Sequence, residues 1–143
     1  MSDAARRILL GILLLGIAGI SIELWLLAHV EDVYQLIPLL LAGIAVVAAG
    51  LIVFRPSTIT VRVFQMVMVL FLISGVVGMY LHFQVNMEFQ LEMDPALSGM
   101  ALYRKAIVAK SPPALAPGAM IQLGLIGLAY TFKHPAIAPR RTP

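Results

Sequence analysis

Long apolar runs separated by short polar stretches dominate this chain and predict helices that cross a membrane. Four such runs contain few charged residues and lie at about residues 8–28, 36–54, 63–81 and 117–132. A helix needs ~20 apolar residues to cross a hydrocarbon core of ~30 Å, and the first three runs are close to that length. The fourth run is shorter, so its crossing requires Pro117 and Gly118 as the first turn and a locally thinner bilayer. We therefore predict an all-α membrane protein, with a four-transmembrane-helix bundle forming a single membrane domain.

Between the third and fourth runs, residues 82–94 alternate strictly between polar and apolar side chains. Such alternation predicts an outward-facing extended β-strand, because successive side chains of a strand point to opposite faces. A lone strand leaves its backbone N–H and C=O groups unpaired, and the chain contains no second segment of this kind. The strand is therefore expected to pair with another copy or another protein. The predicted partner-binding residues are those of its polar face: Gln84, Asn86, Glu88, Gln90 and Glu92.

Residues 95–110 follow the predicted strand and have the pattern of an interfacial amphipathic helix. Asp94 and Pro95 resemble an N-cap followed by a first-turn proline. The apolar residues of the segment fall on one broad helical face, and its basic residues collect toward its C-terminal end. We expect this helix to lie on the outer leaflet or on the bundle.

Composition supports the membrane class and removes several functions. The chain is 61% hydrophobic and only 12% charged, whereas soluble domains carry roughly a quarter charged residues. It has no cysteine, which excludes disulfides, thiolate metal sites and thiol catalysis. The net charge of +3 does not indicate a nucleic-acid partner, because the basic residues lie at membrane boundaries and not in a soluble basic domain. The lipid bilayer is the expected environment.

The distribution of charge predicts the orientation. With four crossings, one side carries seven basic residues and a single acid, Asp3; the basic residues are Arg6, Arg7, Arg55, Arg62, Lys133, Arg140 and Arg141. The other side is mainly acidic. By the positive-inside rule we expect a multi-pass protein of a bacterial-type inner (plasma) membrane, with both termini cytoplasmic and the long segment after the third helix facing outward.

Three residues predicted near the outer membrane face are candidate metal ligands: Glu23, His29 and His82. Two imidazoles and a carboxylate suit a divalent metal such as zinc, iron or manganese, although no compact ligand motif is present. The competing interpretation is structural: Glu23 makes a buried hydrogen bond, and the histidines belong to a solvated acidic rim. Haem is disfavoured, because axial histidines in helical bundles usually lie deeper.

These features favour a non-catalytic integral inner-membrane subunit that assembles, as a homo-oligomer or in a larger membrane complex, through its outward strand and loop. A small metal-binding or redox membrane protein, built on Glu23, His29 and His82, is the alternative. A third hypothesis is a proton-coupled small transporter that depends on Glu23, because an ionisable residue inside a membrane is a candidate functional site. No arrangement of catalytic side chains indicates an enzyme.

Overall fold

The computed structural model describes residues 1–28, 32–109 and 115–137. Every regular element in these ranges is helical. The elements are α1 (Asp3–Leu26), α2 (Val33–Phe54), α3 (Thr58–Met93), α4 (Gly99–Ile107), α5 (Leu115–Thr131) and a 3-10 turn at Pro135–Ile137.

Serine residues determine where two of the long helices begin. The Ser2 hydroxyl accepts a hydrogen bond from the Ala5 N–H at the start of α1. At the start of α3, Ser57 and Thr60 form a reciprocal capping box, in which each side chain accepts from the backbone N–H of the other residue. These bonds satisfy N–H groups that have no partner in the first helical turn.

Three of the described helices, α1, α2 and α3, are long and apolar enough to cross a membrane. Large apolar side chains cover their outer surfaces, as expected where lipid replaces water. The prediction of four transmembrane helices is wrong. The fourth predicted crossing, residues 117–132, is the helix α5, whose 17 residues rise about 26 Å and fall short of a ~30 Å core.

The predicted strand at residues 82–94 is also wrong, because α3 continues as one helix to Met93. A helix pairs its backbone groups within its own segment, whereas a strand here has no partner in the chain. The local composition agrees with the helix: only Val85 is β-branched, and Met87, Glu88 and Leu91 are good helix formers.

The predicted helix at residues 95–110 is present in shorter form as α4, and its final residue, Lys110, lies outside the described residues. It packs against the C-terminal part of α3. The Phe83 and Tyr103 rings meet edge to face with centroids 5.0 Å apart, and Ala106 is buried in the contact. We call residues 82–93 of α3 together with α4 the projecting unit.

The closest helix packing joins α3 and α5, where glycines remove the side chains that would separate the backbones. A Cβ added at Gly124 would lie 2.8 Å from the Met68 carbonyl oxygen, and one added at Gly75 would lie 2.7 Å from the Pro117 carbonyl oxygen. The buried aromatic residues Phe64 and Tyr130 complete this core with an edge-to-face contact. Helix α5 also packs against α1, whereas no Cα atoms of α1 and α3 lie within 8 Å of each other in the described residues.

Long-range hydrogen bonds bring the start of α1, the start of α3 and the end of α5 together. Arg6 on α1 donates to the Tyr130 carbonyl, and the Thr58 hydroxyl at the start of α3 donates to the Ala136 carbonyl. We call this end of the molecule the basic end, because most of the chain's described cations lie there: Arg6, Arg7, Arg55, Arg62 and Lys133.

Candidate functional site

The predicted metal ligands are not brought together by the described part of the structure. Glu23 lies half-buried on α1 and His82 lies half-buried on α3, two helices with no Cα atoms within 8 Å of each other. No group of three metal-ligating side chains occurs in the described ranges. His29 lies outside the described residues, so the metal site remains a prediction.

The predicted partner-binding residues do not share one face. Residues two apart along a helix are rotated by about 200°, so the alternating polar side chains wind around α3. Asn86 is 7% exposed, and neither its Oδ1 nor the Nδ1 of His82, one turn earlier, has a hydrogen-bond partner. Gln84 donates to the Tyr80 hydroxyl at 2.7 Å, and Gln90 is half-buried. Only Glu88 and Glu92 are exposed and without a partner in the described ranges.

The projecting unit instead exposes two apolar stripes. The stripe on α3 has the helical spacing i, i+4 and i+8 and consists of Val85, Phe89 and Met93, and it continues the position of Leu81 one turn earlier. Phe89 is 51% exposed. The stripe on α4 consists of Met100, Ile107 and Val108, with Val108 73% exposed.

Charge differs between the two stripes. Glu88 and Glu92 lie one turn apart beside the α3 stripe, whereas Arg104 lies between the residues of the α4 stripe. The single ion pair in the described part of the chain, Lys105 with Asp94 at 3.9 Å, uses none of these three side chains. The unit therefore exposes an acidic apolar surface and a basic apolar surface.

The basic end contains a second candidate site, centred on a buried arginine. Arg6 is 8% exposed, and its guanidinium donates from Nη1 to the Tyr130 carbonyl at 3.2 Å and from Nη2 to the Lys133 carbonyl at 2.6 Å. The Tyr130 carbonyl lies in the last turn of α5 and the Lys133 carbonyl just after it, where a helix has unpaired C=O groups and a negative dipole. Lys133 has a positive φ of 50°, which ends α5 in the left-handed region. Arg6 therefore joins the start of α1 to the end of α5.

A cleft of about 790 Å³ opens beside Arg6. Its polar lining includes Arg6, Arg7, Asp3 and His134, and its apolar lining includes Leu10, Ile52 and Val53. This site was not predicted from the sequence. There the terminal arginines indicated only the orientation in the membrane, and His134 had no predicted role. Arg6 and its acceptors are more than 120 positions apart, so no local motif links them.

His134 follows α5 and is held in its neutral form. Burial, and next the nearby Arg6 guanidinium, lower the pKa of His134 below its ordinary value of 6.5. Its Nδ1 accepts a hydrogen bond from the Ala136 N–H at 3.2 Å, so the neutral ring carries its proton on Nε2. The imidazole therefore offers a hydrogen-bond donor without a charge.

Acidification is expected to destabilise the basic end through His134. The pKa of His134 is lower in the folded protein than in the unfolded chain, so below about pH 6.5 the unfolded chain binds a proton that the folded protein does not. The free energy of unfolding is therefore highest above that pH and falls as the pH is lowered toward the folded pKa. The unfolding temperature should therefore fall between pH 7.5 and 5.5, and it should fall less in His134→Gln. Equal slopes for the two proteins, measured by thermal unfolding in detergent, would contradict this assignment.

Comparison of the chain with protein-family models, curated proteins and solved structures gives no match.

Proposed function

We propose that this protein is a non-catalytic integral membrane subunit that assembles with a second copy of itself through the projecting unit. The observation that carries the proposal is the pair of exposed apolar stripes on α3 and α4 with opposite charges beside them.

The length of α3 supports placing this unit outside the hydrocarbon. Its 36 residues rise about 54 Å, well beyond the ~30 Å needed to cross. The N-terminal part is nearly uncharged, whereas residues 82–93 include Glu88, Glu92 and several amides, which hydrocarbon disfavours. A bilayer that encloses the apolar part of α3 leaves the projecting unit in water or at the interface.

Exposed apolar side chains in that position favour association. Large apolar side chains on both helices are about half exposed or more: Val85 and Phe89 on α3, and Ile107 and Val108 at the end of α4. Contiguous apolar patches of this kind on an extramembrane surface usually mark an interface. An aromatic residue at the centre of such a stripe is the typical anchor of an interface.

Charge complementarity selects a second copy as the partner. In a two-fold symmetric dimer each contact occurs twice, so the α3 stripe of one chain can pack on the α4 stripe of the other in both directions. Glu88 and Glu92 then face Arg104 of the second copy, and three charges that have no ion pair within the described residues gain one between chains.

The orientation proposed with this function places the basic end in the cytoplasm. The described cations Arg6, Arg7, Arg55, Arg62 and Lys133 all lie there, because α5, although too short to span a ~30 Å core by itself, runs back along α3 to this end. The positive-inside rule favours the cytoplasmic side for such a cluster in a bacterial-type inner membrane. The projecting unit then faces the opposite side of the membrane.

Charge reversal tests the dimer. We expect Glu88→Lys alone and Arg104→Glu alone each to weaken self-association by about tenfold, because either change places two like-charge pairs in a symmetric interface. Co-expressing the two variants should restore the dimer, because the mixed pair has opposite charges at both contacts. Native mass spectrometry in mild detergent, with tags of different mass on the two chains, measures the monomer, homodimer and mixed-dimer fractions.

Arg55→Glu is the matched control, because it reverses an exposed charge at the basic end. It should leave the dimer fraction unchanged. A wild-type protein that is monomeric at every concentration would overturn the proposal. A foreign subunit that is retained by the wild type and lost on Phe89→Glu would replace the second copy with that partner.

A further inference from the structure

We propose that the cleft at the basic end binds a phosphate group, and that this phosphate is the headgroup of an anionic phospholipid. The inference concerns the opposite end of the molecule from the projecting unit and does not depend on self-association.

The polar part of the cleft has an excess of donors. Arg7 brings an exposed guanidinium, and Arg6 adds a second positive charge, although its Nη1 and Nη2 already donate to the Tyr130 and Lys133 carbonyls. Neither arginine forms an ion pair with a carboxylate in the described residues. The Nε of Arg6 is buried without a hydrogen-bond partner. The neutral His134 adds an Nε2–H donor to the same lining.

Asp3 is the one acidic residue of the lining, and it offsets only part of this charge. Two guanidiniums and one carboxylate leave a net positive cleft. Arginine groups match the oxygens of a phosphate through paired N–H donors, so a phosphate is the anion that this lining suits. A carboxylate ligand would also accept hydrogen bonds from the guanidiniums. It has only two oxygens, however, so fewer acceptor positions would remain for the imidazole N–H of His134.

The other wall of the cleft indicates a lipid as the source of the phosphate. Leu10 on α1 and Ile52 and Val53 on α2 form an apolar surface directly beside the arginines. A free inorganic phosphate gains nothing from such a wall, whereas a phospholipid can place its headgroup on the guanidiniums and the start of an acyl chain on the wall. The volume of about 790 Å³ is sufficient for a headgroup and lies in the usual range of ligand sites.

The position of the cleft agrees with this ligand. It lies at the ends of two helices that are long enough to cross a membrane, α1 and α2, where bilayer phosphates are found. Arg62 and Lys133, which also lie at the basic end, raise the local concentration of anionic lipid. Basic pockets between membrane helices are a common form of headgroup site.

Arg7→Gln tests the cleft, and Arg55→Gln is the matched control. Both arginines are exposed and at the basic end, both changes remove one positive charge, and only Arg7 lines the cleft. Full-length protein is mixed with phosphatidylglycerol or phosphatidylcholine in detergent, and native mass spectrometry measures the fraction that retains lipid. Phosphatidylglycerol retention should fall about tenfold in Arg7→Gln and stay at the wild-type level in Arg55→Gln, with little phosphatidylcholine bound in any protein.

A competition arm identifies the source of the phosphate. Inorganic phosphate in excess should leave phosphatidylglycerol bound, because it lacks the contact with the apolar wall. Displacement by inorganic phosphate, with the same dependence on Arg7, would keep the phosphate site but assign it to a soluble ligand. Equal losses in Arg7→Gln and Arg55→Gln would overturn the proposal, because the lipid would then be held by general surface charge. No loss in either variant would also overturn it, because the lipid would then bind elsewhere.

Discussion

Gly124→Ala is expected to lower the free energy of unfolding by about 2 kcal/mol, because it overpacks the contact between α3 and α5. The added Cβ would lie 2.8 Å from the Met68 carbonyl oxygen and 2.9 Å from the Leu72 Cγ. The first of these atoms belongs to the α3 backbone, so relief requires the two helices to separate. Thermal or denaturant unfolding in a fixed detergent measures the change.

Gly43→Ala is the matched control for this substitution. Gly43 lies in the interior of α2, and a Cβ added there meets no atom within 4 Å. Alanine also has the higher helix propensity, so this variant should be as stable as the wild type or slightly more stable. Equal destabilisation by the two substitutions would mean that the α3–α5 contact is looser than the structure describes.

The membrane class and the approximate positions of three long helices followed from the sequence, because hydrophobic length is a strong signal. The predicted runs at 8–28, 36–54 and 63–81 largely coincide with α1, α2 and the apolar part of α3. The fourth run was apolar too, but its helix has only 17 residues and packs between α1 and α3. Hydrophobicity alone does not distinguish a helix buried by its neighbours from one that crosses a bilayer.

The predicted strand failed because one signal was given more weight than two others. Alternation over residues 82–94 indicated a strand, yet the segment follows a helix directly without glycine or proline to end it. Its residues Met87, Glu88 and Leu91 favour a helix, and a strand had no partner available. The helix also changes the candidate interface. The apolar residues, with Phe89 at the centre, become the exposed stripe, and Asn86 becomes buried.

The site at the basic end could not be predicted from local sequence. Arg6 and Arg7 are adjacent and chemically identical, but the helical rotation of about 100° between them buries one and exposes the other. Arg6 reaches the end of α5, whereas Arg7 lines the cleft with its side chain exposed. Only the packing of α1 against α5 assigns these different environments.

Arg6→Met is expected to destabilise the protein by about 3 kcal/mol, because a charged donor makes two hydrogen bonds that both disappear. The lost bonds join Arg6 to the Tyr130 and Lys133 carbonyls, and the substitution leaves these C=O groups at the end of α5 without their donor. Methionine retains much of the length and apolar contact of the side chain. The measured loss of unfolding free energy in detergent therefore reports mainly on the hydrogen bonds and the charge.

Two further variants distinguish this role from a general effect of charge. Arg6→Lys keeps the charge but lacks the planar, forked donors that reach two carbonyls, so it should recover only part of the stability. Arg7→Met removes an exposed guanidinium from the neighbouring position and should change the unfolding free energy by less than about 0.5 kcal/mol. Full recovery by lysine would show that the charge beside the α5 dipole is sufficient. A large loss in Arg7→Met would show that the two arginines act together, and the separation of a structural Arg6 from a ligand-binding Arg7 would then be wrong.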